Sequence, residues 1–194
     1  MTPATRSSAS RPMRADARRN YERLVATARE AFLEHGADAS LDDIAKAAGV
    51  GSGTLYRHFP TRDALLNAVV GESAREVAER ADALLGEYAP ADALRFWLRS
   101  LVDYSTTVAG LPKTLLGCYR DPESELNPPC VQIFAALERL LAAAQEAGAI
   151  RSDVAAEDVG MLAHGISVAT EQSDDPGIAD RLLGVAFDGL RPRG

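Results

Sequence analysis

The densest chemistry in this 194-residue sequence lies in Ser52-Gly53-Thr54-Leu55-Tyr56-Arg57-His58. Ser52, Thr54, Tyr56, Arg57 and His58 all donate or accept hydrogen bonds. Leu55 and Phe59, four residues apart, are left to anchor one helical face, while Gly53 lets another backbone approach closely. This is the chemistry of reading a surface, not of breaking a bond. Catalytic alternatives fail on spacing. The run Gly49-Val50-Gly51-Ser52-Gly53 departs from a dinucleotide fingerprint at Thr54 and follows no strand, and neither a phosphate-loop GK[ST] nor a GxSxG elbow occurs. His35, His58 and His164 share no metal-binding spacing. No enzyme, metal or cofactor is expected.

The polar segment needs elements to hold it, and the hydrophobic periodicity supplies helices throughout. Tyr21, Leu24, Val25, Ala28 and Phe32 form one helical face that Gly36 ends. Ser40 caps a short helix buried through Leu41, Ile44, Ala45 and Ala48, which ends at Gly49. A second short helix spans 52–59 and stops at Pro60. Two short helices about a glycine turn have the proportions of a helix-turn-helix, whose second helix enters the major groove. Thr61 caps a long fourth helix over 61–86. Further helices are expected over 92–109, 131–147, 154–171 and 176–190, with a short element after Pro112 and a loop over 121–129. No stretch alternates with the period of a strand. The expected class is all-α, with about nine helices. An N-terminal three-helix helix-turn-helix DNA-binding domain precedes a larger C-terminal helical body.

Charge divides along the same line. Residues 1–62 carry 10 Lys/Arg against 7 Asp/Glu, whereas residues 63–194 carry 11 against 21. A basic head on an acidic body suits a protein that presents only its head to a polyanion. With 46% hydrophobic and 25% charged residues the composition is that of a globular protein. No uncharged apolar run is long enough to span a membrane and no secretory signal opens the chain, so a cytoplasmic location is expected. Cys118 and Cys130 are accordingly read as reduced thiols, with a redox pair as the alternative. Residues 1–13 lack periodicity and are read as a disordered basic arm, followed by the DNA-binding domain over 14–60 and the body over 61–194.

The run Ile44-Ala45-Lys46-Ala47-Ala48-Gly49-Val50-Gly51-Ser52-Gly53-Thr54-Leu55-Tyr56-Arg57-His58-Phe59-Pro60-Thr61-Arg62-Asp63-Ala64-Leu65-Leu66 closely resembles the signature of the TetR family of bacterial transcriptional regulators. Ala28, Phe32, Gly36 and Ser40 extend the resemblance upstream, so that it covers about residues 17–76. The wording GVGSGTLYRHFPTR, with Asp158-Val159-Gly160-Met161-Leu162 and Gly189-Leu190-Arg191-Pro192, is most similar to a subgroup with an SbtR-like C-terminal domain. The resemblance implies a homodimeric repressor of a palindromic double-stranded DNA operator, released by a small-molecule effector, with the C-terminal helical body as its ligand-binding and dimerisation domain. It places Ser52, Gly53 and Thr54 at base edges or phosphates, Tyr56 and His58 at backbone phosphates, and Arg62 on a phosphate where the family usually has lysine. Arg57 is a candidate for a guanine.

In the body, Trp97, Leu101, Tyr104 and Phe134, with His164, have the size and polarity of a pocket wall, although helical spacing suits a core stripe equally well. Val159, Leu162 and Ile166 join Leu182, Leu183 and Ala186 as an apolar surplus fit for a four-helix dimer interface. The expected effector is small and apolar. The rival reading is an all-α small-molecule-binding protein that does not touch DNA. Because Arg6, Arg11, Arg14, Arg18 and Arg19 precede or open the first helix, the arm is expected to add phosphate contacts. Deleting residues 2–13 should flatten the slope of log K against log salt for DNA binding; an unchanged slope would reduce the arm to a solvated tail.

Overall fold

The computed structural model describes residues 10–115, 118 and 121–192, and every regular element among them is helical. Among the described residues nine helices follow one another: α1 Ser10–His35, α2 Leu41–Ala47, α3 Ser52–His58, α4 Arg62–Glu87, α5 Pro90–Ser105, α6 Leu111–Leu115, α7 Asn127–Glu146, α8 Ala156–Glu171 and α9 Ile178–Leu190. Among the described residues, no helix is long and apolar enough to cross a membrane.

Local chemistry sets the boundaries. Gly36 takes φ +78° and Gly49 φ +67°, left-handed conformations that end α1 and turn the chain between α2 and α3. Ser40 Oγ accepts from Asp43 N at 3.3 Å, and Thr61 Oγ1 accepts from Ala64 N at 3.0 Å, capping α2 and α4. Leu24, Ala28 and Phe32 of α1 join Ile44, Ala45, Leu55, Leu65 and Leu66 in the core of the head. Further along, α4 packs on α5 and α7, burying Ala74, Ala81 and Leu84. Trp97 of α5 is fully buried, and its Nε1 donates to Val77 O of α4 at 2.7 Å.

Three expectations need correction. The arm read over 1–13 already turns helical at Ser10; residues 1–9 lie outside the described residues. Pro12 falls in the first turn of α1, where a missing N–H breaks no helical hydrogen bond. The same rule shortens the expected loop over 121–129, because Pro128 and Pro129 sit in the first turn of α7. Lastly, Cys118 and Cys130 are not free thiols but form a disulfide, with Cα atoms 6.1 Å apart. Asn127 Nδ2 donates to Cys118 O at 2.9 Å, holding Cys118 at the start of α7.

Head and body also meet away from α4. Ala37 N, after α1, donates to Ala109 O, after α5, at 2.8 Å. The adjacent Gly110 N donates to the Glu171 carboxylate at the end of α8. A Cβ on Gly36 would lie 2.8 Å from Ala109 O, so this close approach needs glycine as much as the turn does. Gly36→Ala should therefore cost about 1–3 kcal/mol of stability, read as a lowered Tm. An unchanged Tm would show that the joint is looser than the structure draws it.

Candidate nucleic-acid interface and body cavity

The head turns α3 outward because only one of its faces is apolar. Leu55 and the following Phe59 are buried, while Ser52, Gly53, Tyr56 and Arg57 are exposed and Thr54 is half-buried. A Cβ at Gly51 or Gly53 would meet nothing within 4 Å. Packing inside this chain thus gives no reason for glycine at either place; a surface approaching from outside would. Lys46, near the end of α2, is exposed on the neighbouring helix and adds positive charge.

Two of the sequence-derived DNA contacts have partners or surroundings of their own. Arg62 Nη1 donates to Ala37 O at 2.9 Å and to Ala39 O at 2.5 Å. It clamps the α1–α2 connection to the start of α4, a job different from the phosphate contact expected of it. The His58 ring lies against Tyr21 and Phe59, with centroids 6.2 and 6.3 Å away. Its Nε2 is enclosed with no hydrogen-bond partner among the described residues. The outward surface is therefore centred on Ser52, Gly53, Thr54, Tyr56 and Arg57.

In the body, α5, α6, α7 and α8 line a partly open cavity of about 120 Å³. Leu101, Tyr104, Phe134 and His164 line it, four of the five residues expected of a pocket. Trp97 does not: its indole is locked between α5 and α4 by the bond to Val77 O, so that expectation is corrected. Burial pushes the Tyr104 hydroxyl up to about 12 and holds the His164 imidazole below the usual histidine range. Both groups are uncharged at neutral pH. The disulfide forms part of the same wall, which periodicity could not reveal, since Cys118 and Cys130 flank a loop.

The proposed dimer residues divide in the same manner. Val159, Ile166 and Leu183 are 2, 5 and 2% exposed inside a single protomer and are unavailable to a partner, which corrects their assignment to an interface. Leu162, by contrast, is 43% exposed, and Leu182 and Ala186 are half-buried. Val185, part of the same apolar surplus, is 71% exposed, and Met161, which the sequence reading passed over, is 53% exposed. No group of three His, Cys, Asp or Glu able to hold a metal ion occurs among the described residues.

Comparison with known proteins joins this geometry to a family. Residues 24–69 match the bacterial regulatory proteins of the tetR family, and residues 89–192 match the C-terminal domain of SbtR-like transcriptional regulators. The chain belongs to the TetR family of transcriptional regulators, and its head is a DNA-binding helix-turn-helix. A TetR transcriptional regulator of Streptomyces coelicolor is 38% identical, with TM-score 0.62, covering 90% of this chain and 99% of that one. A TetR regulatory protein of Mycobacterium vanbaalenii is 34% identical, with TM-score 0.53, over 93% and 100% of the two chains. An HTH-type transcriptional regulator of Staphylococcus aureus is 38% identical over 80 residues, so the match spans only 41% of that relative's length and 40% of this chain. FadR of Bacillus subtilis, solved with stearoyl-CoA, shares the fold at 20% identity and TM-score 0.60.

Tyr56→Phe combined with Arg57→Ala should leave Tm nearly unchanged, since both side chains are exposed. It should weaken DNA binding by about 1–3 kcal/mol in an equilibrium titration. Binding equal to wild type would remove α3 from the interface.

Proposed function

We propose that the chain is a homodimeric repressor that holds a palindromic operator through paired α3 helices and is released when a small apolar effector enters the body cavity. The observation that carries the reading is the outward face of α3, polar and flanked by glycines that nothing in the chain requires. Ser52, Gly53, Thr54 and Tyr56 would meet phosphates and base edges, and Arg57 a guanine. His58 would join them only if its ring turned away from Tyr21. Two-fold symmetry comes from the exposed face of α8 and α9, where Leu162, Leu182, Val185 and Ala186 would pair with their counterparts. The two α3 helices would then lie about 34–36 Å apart, one turn of duplex. Action on chromosomal DNA puts the protein in the cytoplasm.

An effector coupling of about 1–3 kcal/mol would lower operator affinity roughly 5–150-fold. Sequencing the genomic fragments retained by the protein should return a single two-fold symmetric motif. Leu162→Glu with Val185→Glu should give monomers in sedimentation and lose that operator. Dimers surviving the substitution would move the interface elsewhere. Retained DNA with no enriched motif would favour a ligand-binding protein that does not read sequence.

A further inference from the structure

Tyr104, in the last turn of α5, belongs to two walls at once. With Leu101, Phe134 and His164 it lines the body cavity. With Arg29 and Leu33 of α1 and Val69 and Val70 of α4 it also lines a smaller void of about 30 Å³ at the seam between head and body. The residue is only 6% exposed, so it is packed inside the chain and not against water.

The seam is where the head is fastened. Thr107 and Val108, just past the end of α5, line the same small void. The next carbonyl, Ala109 O, accepts from Ala37 N at 2.8 Å, and Gly110 N donates to the Glu171 carboxylate. Arg29, in the same lining, donates from Nη2 to Val69 O at 3.1 Å and ties α1 to α4. A displacement at Tyr104 therefore lies a few residues from the bonds that set the place of the head.

Close packing decides where such a displacement can go. A protein interior accepts added volume where space already exists and elsewhere answers with strain. A group that enters the body cavity beside Tyr104 finds that space in the seam void which the same residue lines.

We propose that Tyr104 couples the cavity to the head: an occupant of the cavity shifts its ring into the seam void and loosens the attachment of Ala37 to Ala109, freeing the head to tilt. The coupling needs the volume of the ring and not its hydroxyl. This deepens the reading of the cavity as an effector site, and rests on it only for the consequence at the operator.

The test fills the cavity from within the chain and reads hydrogen exchange at the seam, with no ligand or DNA required. Gly160 lines the cavity, and a Cβ there would lie 3.5 Å from Leu137 Cδ2, so a leucine extends into the space. Gly160→Leu should speed exchange of the Ala37 and Gly110 amides at least tenfold relative to that of Leu66 in the core of the head. The effect should persist beside Tyr104→Phe and shrink below twofold beside Tyr104→Leu, which keeps an apolar side chain but removes the ring. Ile133→Phe, which adds volume from the α7 wall, should give the same pattern and repeats the test should Gly160→Leu not fold. Equal acceleration with and without the ring would overturn the proposal, as would seam amides that ignore a filled cavity. Operator affinity, titrated on the same variants, should fall at least fivefold with Gly160→Leu in chains that keep the ring. If the seam responds but the operator complex does not, the coupling stands and the cavity's role as the inducing site falls.

Discussion

The 26-residue helix α4 belongs to two hydrophobic cores at once, and the relation between DNA-reading surface and cavity depends on it. Its first turns place Leu65 and Leu66 in the core of the head. From Ala74 to Leu84 it is a wall of the body, packed on α5 and α7. At 1.5 Å per residue the helix is about 39 Å long, and no proline interrupts it. A packed interior does not deform smoothly, so whatever tilts α4 at one end carries the head at the other. The bonds from Ala37 N to Ala109 O and from Arg62 to Ala37 O and Ala39 O make a second attachment beside it.

That arrangement gives the proposed induction a physical route. The cavity is lined by α5, α6, α7 and α8, and two of these, α5 and α7, pack on α4. Glu171, at the end of α8, accepts from Gly110 N one residue from the carbonyl that holds Ala37. A ligand that spreads the cavity acts on α4 through α5 and α7, and on the second attachment through α8. The shift it produces is bounded by its difference in affinity for the two placements of the head.

The fold was legible where periodicity and punctuation agreed. Gly36, Ser40, Gly49, Pro60 and Thr61 marked the helices of the head because each acts within a few residues of itself, through a left-handed turn, a side-chain cap or a missing N–H. Family membership was legible for the same reason, since its signature is a continuous run. The proline pair in the first turn of α7 misled because proline ends a helix from within but tolerates its first turn, and Pro128-Pro129 gives no sign of which applies. Long-range pairings were out of reach. The periodicity that places Trp97 on the inner face of α5 cannot say whether that face meets α4 or the cavity. The disulfide depends on where Cys118 lies against α7. Arg62 seeks carbonyls more than twenty residues upstream. The apolar surplus of α8 and α9 was visible as a pattern, yet only packing separates the buried Val159, Ile166 and Leu183 from the exposed Leu162 and Val185.

Native-state hydrogen exchange tests the shared helix most directly. If α4 welds the two cores, the amides of Leu55 and Leu66 in the head and of Leu137 in the body should open with the same free energy. That free energy should match the global value from denaturant melts and fall equally at all three sites as denaturant is added. Head amides that open at a distinctly lower free energy, with a shallower dependence on denaturant than Leu137, would show a head that unfolds alone. That result would contradict the view that α4 transmits a change in the cavity to the DNA-reading surface.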